Sequence, residues 1–158
     1  MSEGDATGTV QSRAQFERLI ADNELAGRTV AGFAANAVGI AGVDLDGATF
    51  ERLSMTDADA DDVRIERAIV RQVDGRRTRW RKSLWHRVTV RDGDFTELDA
   101  QDATWLRVDV ENTRLGRAGF RGARLSGCRF AHSELYGADF SSAVLIRCRF
   151  EHYGAGTV

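Results

Sequence analysis

Every fifth residue from Ile40 to Phe150 is apolar, with Gly75 the single departure. The position two before each, from Val38 to Cys148, holds only Val, Ala, Leu, Cys, Thr, Ser or Gly93. No acidic or basic residue between 38 and 150 falls on either phase, although 29% of the chain is charged. An unpaired charge in an apolar interior is costly, so this filter marks two inward-facing positions in each group of five. A helical period of 3.6 residues cannot hold such a phase for long, and neither can strict alternation. The unit is plainest in Ala118–Phe130, where Phe120, Leu125 and Phe130 are each preceded, two places earlier, by Ala118, Ala123 and Cys128.

This motif resembles the pentapeptide-repeat family, whose consensus is Ala-(Asp/Asn)-Leu-X-X. The resemblance extends over about residues 30–150. It implies an all-β solenoid, a right-handed quadrilateral β-helix in which four short sides close a turn of twenty residues. About six coils and a stack roughly 29 Å tall are expected. Residues twenty apart then become vertical neighbours, about 4.8 Å from each other.

The columns that follow test this. One inward column reads Ile40, Ala60, Trp80, Ala100, Phe120, Phe140, with the largest side chain between two alanines. A second reads Leu45, Ile65, Trp85, Trp105, Leu125, Leu145, with Ser83 and Ala103 beside the tryptophans. A third reads Ala35, Met55, Gly75, Phe95, Leu115, Leu135. Alternating volumes suit a close-packed interior, and Gly75 is expected to be either compensated by its neighbours or the site of a bulge. On the outside, Asp57, Asp59, Asp61 and Asp62 lie twenty before Arg77, Arg79, Arg81 and Lys82, and Glu97, Asp99, Gln101 and Asp102 lie twenty after. Opposite charges on adjacent strands contribute roughly 0.2–1 kcal/mol per pair.

At 158 residues the chain is read as one domain. Residues 1–11 are expected to form a disordered tail, and 12–27 a capping segment. Ser12 with Gln15 looks like a capping box, and Phe16, Leu19 and Ile20 recur at helical spacing, which predicts a helix over Arg13–Glu24. The β-helix is assigned to 28–151 and a C-terminal tail to 152–158. A lid on the first coil makes physical sense, because open strand edges invite aggregation. The last coil, with Phe130, Leu135, Phe140, Leu145 and Phe150, is expected to have an exposed end, which favours a homodimer there unless Tyr153 and the tail fold over it. No apolar run approaches ~20 residues, and no leader pattern precedes the repeats, so a cytoplasmic location is expected.

Several candidate sites emerge. Arg76–Arg91 interleaves basic residues with Trp80 and Trp85, a composition seen in nucleic-acid binding, but the register turns both tryptophans inward and pairs the bases with acids. One outward column is uncompensated: Gly47, Arg67, Arg87, Arg107, Gly127, Arg147, with Arg129 and Arg149 near the same corner. A row of guanidinium groups suits an acidic protein surface, so these six arginines are the expected partner-binding residues; a solvated ladder relieved by carboxylates such as Asp109 is the plainer alternative. Cys128 and Cys148 stack in one inward column and read as two buried reduced thiols rather than a disulfide. His132 and His152, below Asp92 and Asn112, offer too few ligands for a metal, and His86 stands alone. No catalytic triad, phosphate loop or cleft is apparent, so neither catalysis nor a cofactor is expected.

The functional expectation is therefore a non-catalytic protein–protein interaction scaffold with a rigid charged face. Two alternatives come from the resemblance. The best-understood branch of the family resembles DNA, binds type II topoisomerases such as gyrase and protects them from quinolones; a net charge of −2 with a basic middle fits that poorly. Pentapeptide repeats also occur in adaptors of bacterial secretion systems, and the Leu25-Ala26-Gly27-Arg28 entry is similar to some of them.

Overall fold

A computed structural model describes residues 8–151. The segments before and after, including His152 and Tyr153, lie outside the described residues. The chain forms a β-solenoid of about seven turns, led by one helix. One sheet has eight strands in the order β1 (Thr9–Val10), β2 (Thr29–Ala31), β3 (Thr49–Ser54), β5 (Ile69–Asp74), β7 (Thr89–Arg91), β9 (Asp109–Glu111), β11 (Arg129–Ala131) and β13 (Arg149–Glu151). The other has five, running β4 (Arg64–Glu66), β6 (Leu84–His86), β8 (Thr104–Leu106), β10 (Arg124–Ser126) and β12 (Val144–Ile146). All pairings are parallel, and each joins residue n to residue n + 20, as in Phe50 with Val70 and Trp85 with Trp105. Two further sides are built from single bridges, one through Asp59, Arg79 and Asp99 and one through Asp74, Asp94 and Arg114. These give the four walls of the quadrilateral.

Five residues suffice for a side because each corner is a tight turn. After Ile40, Trp80 and Phe120, the N–H three residues on donates back to the centre's carbonyl, at 3.2, 3.4 and 3.0 Å. The third residue of each turn has positive φ: 75° at Gly42, 57° at Lys82 and 71° at Gly122. That is the type II turn, which favours glycine at this place. Nineteen non-glycine residues among those described nevertheless take positive φ, most of them at this repeat position, so the stack carries a backbone cost at many corners that the interior must offset.

The interior is apolar and graded in size. Trp80, Trp85 and Trp105 are all buried; Trp85 and Trp105 stack with centroids 4.5 Å apart, and Trp80 meets Trp85 edge-on at 4.9 Å. Their three indole N–H groups have no partner among the described residues. Each such orphan costs about 1–3 kcal/mol, which the burial of the rings must outweigh. Gly75 is compensated and makes no bulge: its N–H continues the ladder to the Asp94 carbonyl at 2.7 Å, and the Phe95 ring fills the space beside its Cα.

The entrance is lidded. Helix α1 (Arg13–Ala21) has Ser12 as N-cap, whose Oγ accepts the Gln15 N–H at 3.2 Å, while Gln15 Oε1 accepts the Gln11 N–H at 3.3 Å. It ends three residues before Glu24. Asn23 at φ 54° lets its N–H reach the Ile20 carbonyl and the Glu24 N–H reach that of Leu19, a Schellman closure. Phe16 packs edge-on against Phe33 and Phe50, so the helix covers the first coil. Thr9 and Val10, expected within a disordered tail, instead pair with Thr29 and Val30 and begin the eight-stranded sheet one level earlier than Val30. Among the described residues no helix is long and apolar enough to cross a membrane.

Candidate partner-binding corner

The twenty-residue register sorts the surface charges into columns, and most are matched. Arg77, Arg79 and Arg81 each reach to the previous turn, bonding Asp57 at 2.9 Å, Asp59 at 2.6 Å and Asp61 at 2.7 Å. Asp62 above Lys82 makes no ion pair among the described residues. The Arg77 hydrogen bonds hold the Asp57 carboxyl below its usual range. Burial pushes Asp61 upward, but bonds from the Arg81 side chain and backbone outweigh it and leave that carboxyl low as well. The basic run is thereby neutralised, and its tryptophans lie in the core.

The corner between the two sheets differs. Arg67, Arg87, Arg107 and Arg147 all sit at corner positions with φ between 48° and 57°, exposed and stacked in one column that Gly127 interrupts before Arg147. The N–H groups of Arg67, Arg87 and Arg107 donate to the carbonyls of His86, Leu106 and Ser126, which fixes the backbone of the column. Arg67 pairs diagonally with Asp46 and, at 3.8 Å, with Glu66. Arg87, Arg107 and Arg147 make no ion pair among the described residues. At the intervening level, a Cβ on Gly127 would lie 3.5 Å from Arg107 Cγ, so the Arg107 stem packs against the glycine.

Arg129 and Arg149, also expected to bind a partner, are placed differently. Arg129 is the hub of a carboxylate cluster, with Asp109 at 3.1 Å, Glu111 at 3.5 Å and Glu151 at 3.0 Å. Sequence reasoning missed this hub because Glu111 and Glu151 sit off the Arg129 column by two residues. Arg149 is exposed, with Glu151 at 3.7 Å its one ion-pair partner among the described residues.

The remaining candidates are quickly placed. Cys128 and Cys148 are both free thiols in parallel orientation; Cys128 contacts the Trp105 carbonyl at 3.5 Å and Cys148 that of Leu125 at 3.4 Å. Burial pushes the Cys128 pKa up to about 12. His132 lies beside a shallow groove of about 620 Å³, where Asn112 donates to Asp92 at 2.7 Å and Arg114 faces Glu134 at 3.8 Å. Among the described residues no group of three or more His, Cys, Asp or Glu could hold a metal.

Residues 113–151 match the family model for pentapeptide repeats, in eight copies. This part of the chain is built of pentapeptide repeats. The match covers the stretch in which the consensus is best kept, while the columns carry the same repeat through the middle of the chain. No curated protein matches the chain significantly. Among solved structures, full-length QnrB1, described as a plasmid-mediated fluoroquinolone resistance protein, is similar with a TM-score of 0.56 and 11% identity, over 82% of this chain and 87% of that one. A trypsin-treated QnrB1 variant gives 0.55 and 17%, over 96% of this chain and 82% of that one. At such identities the likeness concerns the fold.

Proposed function

We propose that this protein is a cytoplasmic, non-catalytic interaction scaffold that docks an acidic protein through its arginine corner. The observation that carries this reading is the shared column of Arg87, Arg107 and Arg147, which make no ion pair among the described residues, on a surface where charged columns are otherwise mostly matched. Like charges on adjacent levels, as at Arg87 and Arg107, repel. A partner's carboxylates would relieve that repulsion and form charge-assisted bonds. Arg67 and Arg149 extend the same corner, and Arg129 holds its carboxylates beside it. The test is capture from a native cell lysate by wild type and by Arg87→Glu/Arg107→Glu. Loss of the captured protein with an unchanged circular dichroism spectrum supports the reading, and undiminished capture removes it.

A second reading, a DNA-mimicking modulator of gyrase, is favoured by the fold shared with a fluoroquinolone resistance protein. The alternating acidic and basic levels argue against it, because mimicry of DNA needs one sign of charge along the whole rod. A gyrase supercoiling assay separates the two, and potent inhibition would favour mimicry. We also propose self-association through the last coil, where Val144, Leu145 and Ile146 are exposed. A dimer in sedimentation that is lost in Leu145→Glu supports this, and a monomeric wild type ends it. A secretion-system adaptor would be recognised by the identity of the captured partner.

A further inference from the structure

Three properties of the arginine corner restrict what can seat on it. First, its backbone is engaged: the N–H groups of Arg67, Arg87 and Arg107 are used within the solenoid, so a partner strand cannot add to this column by main-chain pairing. Recognition must run through side chains. Second, its charges have a fixed spacing. Levels lie about 4.8 Å apart, and the four steps from Arg67 to Arg147 span about 19 Å. Carboxylates on one face of an extended strand repeat at about 6.6–6.8 Å, whereas an α-helix presents one stripe every 5.4 Å or so. Third, apolar residues flank the cations at the later levels, whereas Glu66 and His86 precede Arg67 and Arg87. Leu106 precedes Arg107, and Ile146, 52% exposed, precedes Arg147; Ile69, 43% exposed, follows Arg67.

Resting on the docking reading above, we infer that the corner seats an acidic amphipathic α-helix lying along the solenoid axis. Its Glu or Asp residues, spaced by three or four, meet Arg87, Arg107 and Arg147, and its neighbouring apolar residues meet Leu106 and Ile146. Gly127 is the shallowest point of the ridge. The column carries no side chain at that level, so Arg107 and Arg147 lie two levels, about 9.6 Å, apart along the ridge, and each meets its own carboxylate. The helix closes the mismatch between 4.8 and 5.4 Å through the freedom of the arginine stems.

The experiment uses the full chain and two fluorescent peptides of about 16 residues, long enough for the 19 Å ridge. Both are hydrocarbon-stapled and equal in composition. One carries Glu on a single stripe with Leu beside it, and the other has Glu spread around the helix. Anisotropy is expected to show the striped peptide binding about tenfold tighter or more, as one or two charge-assisted bonds allow. Arg87→Glu/Arg107→Glu should lose that margin, while Lys82→Glu, on another face, should keep it. Equal binding of the two peptides, or equal binding of a duplex oligonucleotide, overturns the inference. If neither peptide binds while lysate capture still depends on Arg87 and Arg107, the helix is wrong and the docking reading stands. If capture ignores both arginines, both fall.

Discussion

The Phe95 ring occupies the volume that a side chain at Gly75 would need; a Cβ placed there would sit 3.0 Å from Phe95 Cζ and closer still to the near ring edge. The same ring lies 3.2 Å from where a Gly93 Cβ would be. One large residue thus fills the room left by two glycines on neighbouring turns. Gly75→Ala should therefore cost about 1–3 kcal/mol by overpacking, despite the usual advantage of alanine over glycine. Phe95→Leu in the same chain should recover part of that loss, so the two changes should combine non-additively in urea unfolding.

The corners predict an inverted preference. Lys82 takes φ 57° and makes no ion pair among the described residues. Lys82→Gly should stabilise by about 0.5–1 kcal/mol, because glycine takes this conformation freely. Lys82→Val should destabilise, since a β-branched residue is strongly disfavoured at positive φ. Equal melting temperatures for the two variants would contradict the turn assignment.

The stacked ion pairs predict small, salt-sensitive effects. Arg79 and Asp59 are each partly exposed and 2.6 Å apart. Arg79→Ala should cost about 0.2–1 kcal/mol at low salt and less at high salt. The exchange Asp59→Arg with Arg79→Asp should restore most of it.

Acid should weaken the fold in a defined window. Glu51, Asp57, Asp61, Glu66 and Asp139 all have carboxyl pKa values lowered in the folded chain, chiefly by arginine partners and, for Asp139, by Ser141. A depressed folded pKa adds stability above the unfolded value and loses it as pH falls toward the folded one. The melting temperature should hold above about pH 5 and drop below about pH 4. A melting temperature that rose on acidification would reverse this account.

The thiols give a chemical check. With burial raising its pKa to about 12, Cys128 should resist a thiol reagent at pH 8 in the folded protein. Both Cys128 and Cys148 should react once the chain is denatured; a chain with neither thiol free would contradict the reduced pair.

The columns were readable from sequence because the inward positions tolerate no charge. The burial of Trp80, the pairing of Asp59 with Arg79 and the stacking of Phe120 on Phe140 at 5.0 Å all follow from a shift of twenty. What escaped lies off that lattice. Two residues of strand at Thr9–Val10 are too few to show a period. The end of α1 depends on Asn23 taking a left-handed conformation, which the helical spacing of Phe16, Leu19 and Ile20 does not encode. The Asp46–Arg67 contact and the Arg129 hub are diagonal, set by how far a guanidinium reaches rather than by column membership. For the candidate corner, sequence marked the unmatched arginines, whereas the packing of the Arg107 stem against Gly127 needed coordinates.

Pairing at n + 20 also governs how such a chain can change length. Adding or deleting one residue on any side would move every later position off its inward phase, unless the extra residue bulged out at a corner. Lengthening without disruption must come as a complete circuit of twenty, which adds one storey and leaves each existing pair in place. Growth of this rod is therefore quantised, and a tolerated insertion of another size should mark a corner from which a loop can leave the wall.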